Sequence, residues 1–155
     1  MVHSIRALDN TDRLRWEELF QNYAEFYELD IPGGGLDRVW DWLFDPENNF
    51  WCDLAVDTKG HNVGFVQYQL MHSSLSASMV CYLNDLYVDP AQCGSGAGRL
   101  MIDHVLAFAR DKRLPAVNWL TQEFNYAGRR LYDTYQSKTD FILYRVPVLG
   151  EGLDS

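Results

Sequence analysis

The sequence predicts an α/β (α+β) fold in which a mixed, mostly antiparallel twisted sheet carries helices on both faces. Apolar residues recur at helical spacing in several segments, with shorter strand-like runs between them. A strand–helix–strand crossover follows three strands joined by turns, which puts a parallel connection into an antiparallel sheet. At 155 residues, and without a linker-like segment, the chain is expected to form one domain over residues 1–148 and a C-terminal tail over 149–155.

Each predicted element has its own local signal. Asp9 and Asp12 can cap the first helix, and the Pro-Gly-Gly-Gly run at 32–35 ends it. Pro90 ends the third strand of the meander because it has no amide hydrogen to donate. In chain order, the predicted elements are a strand at 2–8, helices at about 13–27 and 36–44, strands at 50–57, 62–71 and 78–89, a helix at about 98–113, a strand at 116–122, a helix at 125–136 and a final strand at 141–146.

Composition narrows the class of protein. The net charge of −9, from 22 acidic and 13 basic residues, argues against nucleic-acid binding. The acidity either attracts cationic substrates such as amines or only keeps the protein soluble. No apolar run is long enough for a membrane span, and the N-terminus lacks a signal-peptide core. Cys52, Cys81 and Cys93 are odd in number and have no metal-ligand spacing, so we expect a reduced cytoplasmic protein without a metal.

A glycine-rich segment after the third meander strand is the main candidate for a ligand site. Gly94, Gly96 and Gly98 alternate with small residues directly before a long helix. Such a loop can point its amides at a phosphate, and the helix N-terminus adds a favourable dipole. The spacing fits neither the ATP-type phosphate loop nor the dinucleotide motif, in which Arg99 would have to be glycine. The alternatives are a diphosphate site or a flexible connection without a ligand.

Three features together resemble the GNAT superfamily of acyl-CoA-dependent N-acetyltransferases. The segment Cys93–Gly98 is similar to the family pattern [Arg/Gln]-x-x-Gly-x-[Gly/Ala], although Cys93 replaces the usual first residue and Gln92 lies beside it. Asn125 and Tyr132 stand seven residues apart on a later helix, as in the family. The order of elements also matches over nearly the whole chain. Within the family, the chain most resembles small-amine acetyltransferases of the polyamine and fungal amino-acid/histone types.

The resemblance implies a fold with a splayed central strand pair and an acetyl-CoA (coenzyme A) site. An open strand edge would pair with the pantetheine arm through its backbone. The glycine loop would hold the pyrophosphate, and Asn125 would bind the cofactor arm. The implied cofactor-binding residues are Leu86, Tyr87 and Val88 on the strand, Cys93, Gly94, Ser95, Gly96, Ala97, Gly98 and Arg99 in the loop, and Asn125.

Acetyl transfer to an amine needs a polarised thioester carbonyl, a deprotonated amine and a proton for the leaving thiolate. The amide of Leu86 can polarise the carbonyl, and the Tyr132 phenol can protonate the thiolate. The base is open: Asp85 or Asn84 could act through water, with Glu123 as an outside candidate. In a regular strand Asn84 and Asp85 point to opposite faces, unless a bulge redirects one of them.

Aromatic and acidic side chains of the first two helices could contact an ammonium-bearing substrate. They could equally be core residues of amphipathic helices. We expect direct transfer of an acetyl group to the primary amine of a small molecule in a ternary complex, by a homodimer or higher homo-oligomer. The alternatives are a catalytically weak CoA-binding sensor or interaction module of the same fold, and a protein- or histone-type lysine acetyltransferase. The candidate substrate-binding residues are Tyr23, Tyr27, Glu28 and Trp40.

Overall fold

The computed structural model describes residues 3–149, and residues 1–2 and 150–155 lie outside the described part. The chain divides after Leu120 into two compact units, each of which is treated by itself. The single domain over 1–148 therefore stays a prediction, and most of the predicted tail lies outside the described residues. Among residues 3–149, no helix has the length and apolar character needed to cross a membrane.

The first unit is built on one twisted, mostly antiparallel sheet. Within the described residues its five strands lie side by side in chain order. The first four strands pair antiparallel with their neighbours, and the fifth pairs parallel with the fourth, which confirms the predicted mixed sheet. The strands are β1 (Ser4–Ala7), β2 (Phe50–Val56), β3 (Asn62–Ser73), β4 (Ser78–Val88) and β5 (Val117–Asn118).

Helices cover both faces of this sheet. The helices α1 (Arg13–Phe26) and α2 (Gly35–Phe44) pack on one face, because their apolar residues meet the alternate strand residues that point the same way. The helix α3 (Ala97–Asp111) packs on the opposite face, where the Phe108 ring lies 5.2 Å from Trp51 and 5.1 Å from Tyr68. The core between α1, α2 and the sheet consists of Trp16, Leu19, Trp40, Cys52, Leu54, Val56 and Phe65.

The sheet is open where β5 ends. β5 pairs with β4 only at Cys81–Val117 and Tyr82–Asn118, so the predicted strand at 116–122 is much shorter than expected. β4 continues to Val88, and in the described sheet its residues 83–88 have no strand on the β5 side. This opening is the splayed strand pair that the resemblance implies.

The second unit contains a short helix and an irregular segment. The helix α4 (Tyr126–Tyr132) begins after Asn125, whose side chain caps it. The predicted final strand at 141–146 is wrong, because the structure has no regular element there. Phe141 and Tyr144 are 87% and 84% exposed. A strand-like sequence needs a neighbouring strand to form a ladder, and none pairs with this segment among the described residues.

Candidate active site

The glycine-rich loop has the geometry of an anion cradle. Gly94 and Gly96 have φ angles of +82° and +90°, and a Cβ at either position would meet no atom within 4 Å. These dihedrals favour glycine. Gly96 is also the N-cap of α3 and provides no side chain to cap it. The helix therefore presents uncapped amides to an open space in front of its N-terminus.

The polar groups of this loop also fit an anionic ligand. The Ser95 hydroxyl oxygen is buried and has no hydrogen-bond partner within the described chain. Among residues 3–149, no backbone carbonyl accepts a hydrogen bond from the amides of Gly94, Gly96, Ala97 and Gly98, and no N-cap side chain does so at the start of α3. Unpartnered donors that converge at a helix N-terminus are the arrangement a pyrophosphate requires. The loop residues therefore fit the phosphate portion of coenzyme A.

The open edge of β4 leads toward this loop. The amide of Asp89 donates to the carbonyl of Val63 on β3 at 2.8 Å. Amides alternate between the two edges of a strand, so those of Leu86 and Val88 point away from β3 and toward the opening beside β5. The Leu86 amide therefore faces the opening, the orientation that polarising a bound carbonyl would require. Tyr87 points its ring toward α1 and lies 5.8 Å from the Tyr23 ring.

A β-bulge brings the two candidate base residues together. Gln67 pairs with Asp85 and Tyr68 pairs with Leu83, which leaves Asn84 as the extra residue of β4. The Gln67 amide nitrogen donates to Asp85 Oδ2 at 2.8 Å, and the Gln69 amide nitrogen donates to Asn84 Oδ1 at 2.8 Å. Gln67 and Gln69 share one face of β3. The bulge therefore directs Asn84 and Asp85 to the same face, the one that α1 and α2 cover.

Burial and two hydrogen bonds act on the proton affinity of Asp85 in opposite directions. Burial raises the pKa of Asp85, while hydrogen bonds from Gln67 and Tyr23 oppose the rise. A carboxylate whose pKa lies closer to the working pH is a better proton acceptor for an ammonium group than an exposed aspartate. Of the predicted base candidates, Asp85 has this environment, and Asn84 has no ionisable group.

A surface cavity of about 430 Å³ lies beside the bulge. This volume suits a small organic molecule. Its wall combines aromatic rings, amide groups and one carboxylate, and the bulged residue Asn84 forms part of it. The lining includes Trp42, Glu47, Phe50, Gln69, His72 and Asn84.

The predicted substrate residues have different surroundings. Trp40 is 9% exposed and packs 5.2 Å from Trp16 and 4.6 Å from Phe44, so the structure makes it a core residue. Tyr23 is half-buried and hydrogen-bonds to Asp85. Tyr27 packs against Tyr23 at 5.2 Å, and Glu28 is exposed after α1.

Several residues that line this region are absent from the predicted set of site residues. Gln67 and Gln69 were not identified, although two glutamines spaced two residues apart in an otherwise apolar strand are a usable signal. Trp42 and Phe50 of the cavity were also missed, because aromatic residues in helices and strands usually belong to the core.

Asn125 and Tyr132 lie in the second unit, as does the outside base candidate Glu123. The Asn125 side chain accepts from the amide of Gly128 at 3.2 Å and donates to Thr121 Oγ1 at 2.9 Å. Asn125 is therefore the N-cap of α4 rather than a residue within the helix. Tyr132 is the last residue of α4 and is half-buried. Its role and that of Asn125 in cofactor binding and catalysis stay predictions.

The two cysteines of the sheet have the surroundings of unreactive thiols. Cys52 and Cys81 are buried and Cys93 is exposed. Burial raises the pKa of Cys52 well above its usual value and that of Cys81 to about 11. A thiol that stays protonated is a poor nucleophile, so neither buried cysteine is suited to carry an acetyl group.

Comparison with known proteins identifies the class of this protein as an N-acetyltransferase. The model of the "Acetyltransferase (GNAT) family" matches residues 16–135, and the chain belongs to this family. It is 32% identical over 142 residues, which cover 91% of this chain and 88% of the other, to "D-amino-acid N-acetyltransferase HPA3" of Saccharomyces cerevisiae.

Other relatives support the same class. The chain is 31% identical over 111 residues to "Aminoglycoside N(6')-acetyltransferase type 1" of Stenotrophomonas maltophilia, covering 70% of this chain and 68% of the other. A solved "probable acetyltransferase" superposes with a TM-score of 0.81 at 22% identity, over 97% of this chain and 100% of that chain. At that identity the superposition shows the shared fold.

Proposed function

We propose that the protein transfers an acetyl group from acetyl-CoA to the primary amine of a small molecule, directly and within a ternary complex. The observation that carries this proposal is the course of β4. One strand has an open edge with outward amides at Leu86 and Val88, leads into the uncapped glycine cradle, and carries Asp85 on a bulge. Acetyl-CoA, when bound, supplies the thioester that the amine attacks.

Different residues of this chain are proposed to bind the parts of acetyl-CoA and to transfer protons. The amides of Gly94 to Arg99 hold the pyrophosphate, and the edge of β4 from Leu86 to Val88 pairs with the pantetheine arm. The amide of Leu86 would face the thioester carbonyl and could stabilise negative charge on its oxygen. Asp85 accepts the proton of the amine, through water, and Tyr132 donates one to the leaving thiolate.

The acceptor is proposed to be a small amine that enters through the cavity beside the bulge. Two relatives are named for the acetylation of D-amino acids and of aminoglycosides, which are small amines. The cavity offers Trp42 and Phe50 rings, which suit the apolar or cationic parts of such a molecule, and the Glu47 carboxylate. The net charge of −9 favours the approach of cationic amines.

A thiol-release assay with acetyl-CoA and a panel of amines tests this function. The panel contains L- and D-amino acids, polyamines, aminoglycosides and a lysine-containing peptide. The proposal expects CoA release that depends on one of the small amines, with the acetylated amine found by mass spectrometry. Acetyl-CoA binding without release across the panel would favour a CoA-binding sensor, and release with the peptide alone would favour a protein acetyltransferase.

Replacing Tyr132 by Phe tests the general acid. The variant keeps the ring and removes the hydroxyl, so we expect kcat to fall by about 10²-fold with the KM for acetyl-CoA nearly unchanged. Tyr126→Phe, at an exposed position of the same helix, is the matched control and should keep parental kcat. A Tyr132→Phe variant as fast as the parent at every pH would remove Tyr132 from the mechanism.

We also propose a homodimer or higher homo-oligomer, with the exposed segment 141–149 as part of its interface. Apolar side chains of this segment are at least 69% exposed, and a run of this kind marks an interaction surface. We expect Ile142→Lys to weaken the assembly, as measured by sedimentation velocity at micromolar concentration. Leu75→Lys, at an isolated residue that is 97% exposed, should not do so. A monomeric parent protein would contradict the proposal.

A further inference from the structure

Behind Asp85, a buried hydrogen-bond chain runs from helix α1 through β3 to β4. The indole nitrogen of Trp16 donates to Gln67 Oε1 at 2.9 Å, and Gln67 Nε2 donates to Asp85 Oδ2 at 2.8 Å. Trp16 and Gln67 are both 0% exposed. Water therefore has no access to the Trp16 indole or the Gln67 amide, and their hydrogen bonds have to be made with protein groups.

The orientation of the Gln67 amide is imposed by Trp16. An indole has only a donor, so the oxygen of the amide has to face it. The opposite orientation would place two donors together at Trp16 and two acceptors together at Asp85. Each buried group left without a partner costs about 1–3 kcal/mol. The amide is consequently held with its NH₂ group toward Asp85.

The indole itself has little freedom to move. Its ring lies 5.2 Å from Phe20 and 5.2 Å from Trp40, within the core between the helices and the sheet. The nearby pair Gln69–Asn84 is different, because two amides can reverse together and keep their hydrogen bond. Only the pair with Asp85 has a fixed donor.

We propose that Trp16 and Gln67 are positioning residues that keep a hydrogen-bond donor on Asp85 and so hold its carboxylate ionised and aimed within the bulge. This inference rests on the proposed function, in which Asp85 is the base. It assigns a catalytic purpose to a buried glutamine that would otherwise be only a satisfied core residue. It also makes Tyr23 a second partner of the base rather than a substrate contact.

The titratable groups near Asp85 determine how a pH titration of its carboxyl group can be interpreted. Among the described residues, the titratable groups that interact with Asp85 are Tyr23 from α1, Cys52 from β2 and Tyr82 on β4. Burial raises the pKa of Cys52 and of Tyr82, so both stay neutral in acid. Neither group therefore contributes to the acidic part of a pH profile, and the NMR titration reads the Asp85 carboxyl group itself.

The experiment compares Gln67→Met and Trp16→Phe with the parent, using the acidic limb of kcat/KM and a ¹³C NMR titration of the Asp85 carboxyl group. Removing a donor to an ionised carboxylate disfavours the ionised form. In Gln67→Met, we expect the acidic limb of the kcat/KM profile and the NMR midpoint of Asp85 both to move up by about one pH unit. At pH values below the limb, kcat/KM should be about tenfold lower than in the parent, and it should recover at higher pH. Trp16→Phe removes the donor that holds the Gln67 oxygen, so the amide can turn and accept a hydrogen bond from protonated Asp85. This favours the neutral form and should move both readouts in the same direction.

Tyr68→Phe is the matched control. The Tyr68 hydroxyl donates to the buried Asp53 at 2.5 Å. Tyr68 follows Gln67 on β3 and points to the opposite face of the sheet. Its replacement should therefore lower stability without moving the acidic limb. An unchanged NMR midpoint in Gln67→Met, or an equal shift in Tyr68→Phe, would overturn the inference. If Gln67→Met fails to fold, Trp16→Phe decides. If the parent shows no turnover, the proposed function fails and the NMR titration still decides whether Gln67 controls Asp85.

Discussion

Replacing Asp85 by Asn is expected to lower kcat by about 10²–10⁴-fold. The substitution keeps the size of the side chain and a hydrogen-bonding oxygen, but it removes the group that accepts the proton of the amine. The loss should therefore appear in kcat while the KM for acetyl-CoA stays close to that of the parent. Steady-state kinetics at saturating acetyl-CoA measure the effect.

Asp85→Asn is also expected to stabilise the fold at neutral pH. The folded-state pKa of Asp85 is raised, chiefly by burial, so the folded state binds a proton more tightly than the unfolded state does. The free energy of unfolding of the parent consequently falls as the pH rises from the unfolded-state pKa to the folded-state pKa of Asp85. At still higher pH this loss of stability stays constant, because Asp85 is then ionised in both states. Denaturant unfolding should give a larger free energy of unfolding for the variant than for the parent at pH 7. Below the unfolded pKa of about 3.9 the two proteins should be equally stable.

Asp41→Asn is the control for both readouts. Asp41 is an exposed carboxylate on α2, so its replacement should leave kcat as in the parent and should not stabilise the fold at pH 7. An Asp85→Asn variant with parental kcat over the whole pH range would exclude Asp85 as the base. Glu123 would then be the next candidate.

Replacing Gly96 by Asp is expected to weaken acetyl-CoA binding by about 10²-fold, which corresponds to about 2.7 kcal/mol. The new carboxylate would stand beside the amides of the cradle and repel the pyrophosphate. A Cβ at Gly96 meets no atom within 4 Å, and Asp and Asn tolerate a positive φ better than most residues. The fold should therefore persist, and calorimetric titration with CoA measures the loss.

Two controls separate charge from backbone strain. Gly96→Asn has nearly the same shape without the charge and should lose much less affinity. Gly60→Asp places the same carboxylate at a glycine with φ of +84° and open surroundings in the β2–β3 turn, and it should leave CoA affinity unchanged. Equal losses in Gly96→Asp and Gly96→Asn would point to strain and against an anion cradle.

Local patterns predicted much of what surrounds the cradle. The alternating glycines before α3 indicate both the left-handed dihedrals and the uncapped helix start, because these properties depend on neighbouring residues alone. The helical periodicity of α1 and α3 likewise needs no information from distant parts of the chain.

The bulge and its consequences depend on distant parts of the chain. One extra residue in β4 does not alter its composition, so the shared face of Asn84 and Asp85 becomes visible only with the register of β3. The link from Trp16 to Gln67 joins residues 51 positions apart. The failed strand at 141–146 has the same cause, since a ladder depends on a partner that the segment itself does not specify.

The initial-velocity pattern with acetyl-CoA and the best amine of the panel tests the central claim most directly. Direct transfer at the β4 bulge requires both substrates to be bound together, so the double-reciprocal lines should intersect. Parallel lines would indicate an acetylated enzyme intermediate and would contradict the account, because transfer would then proceed through a nucleophile of the protein rather than from the thioester to the amine.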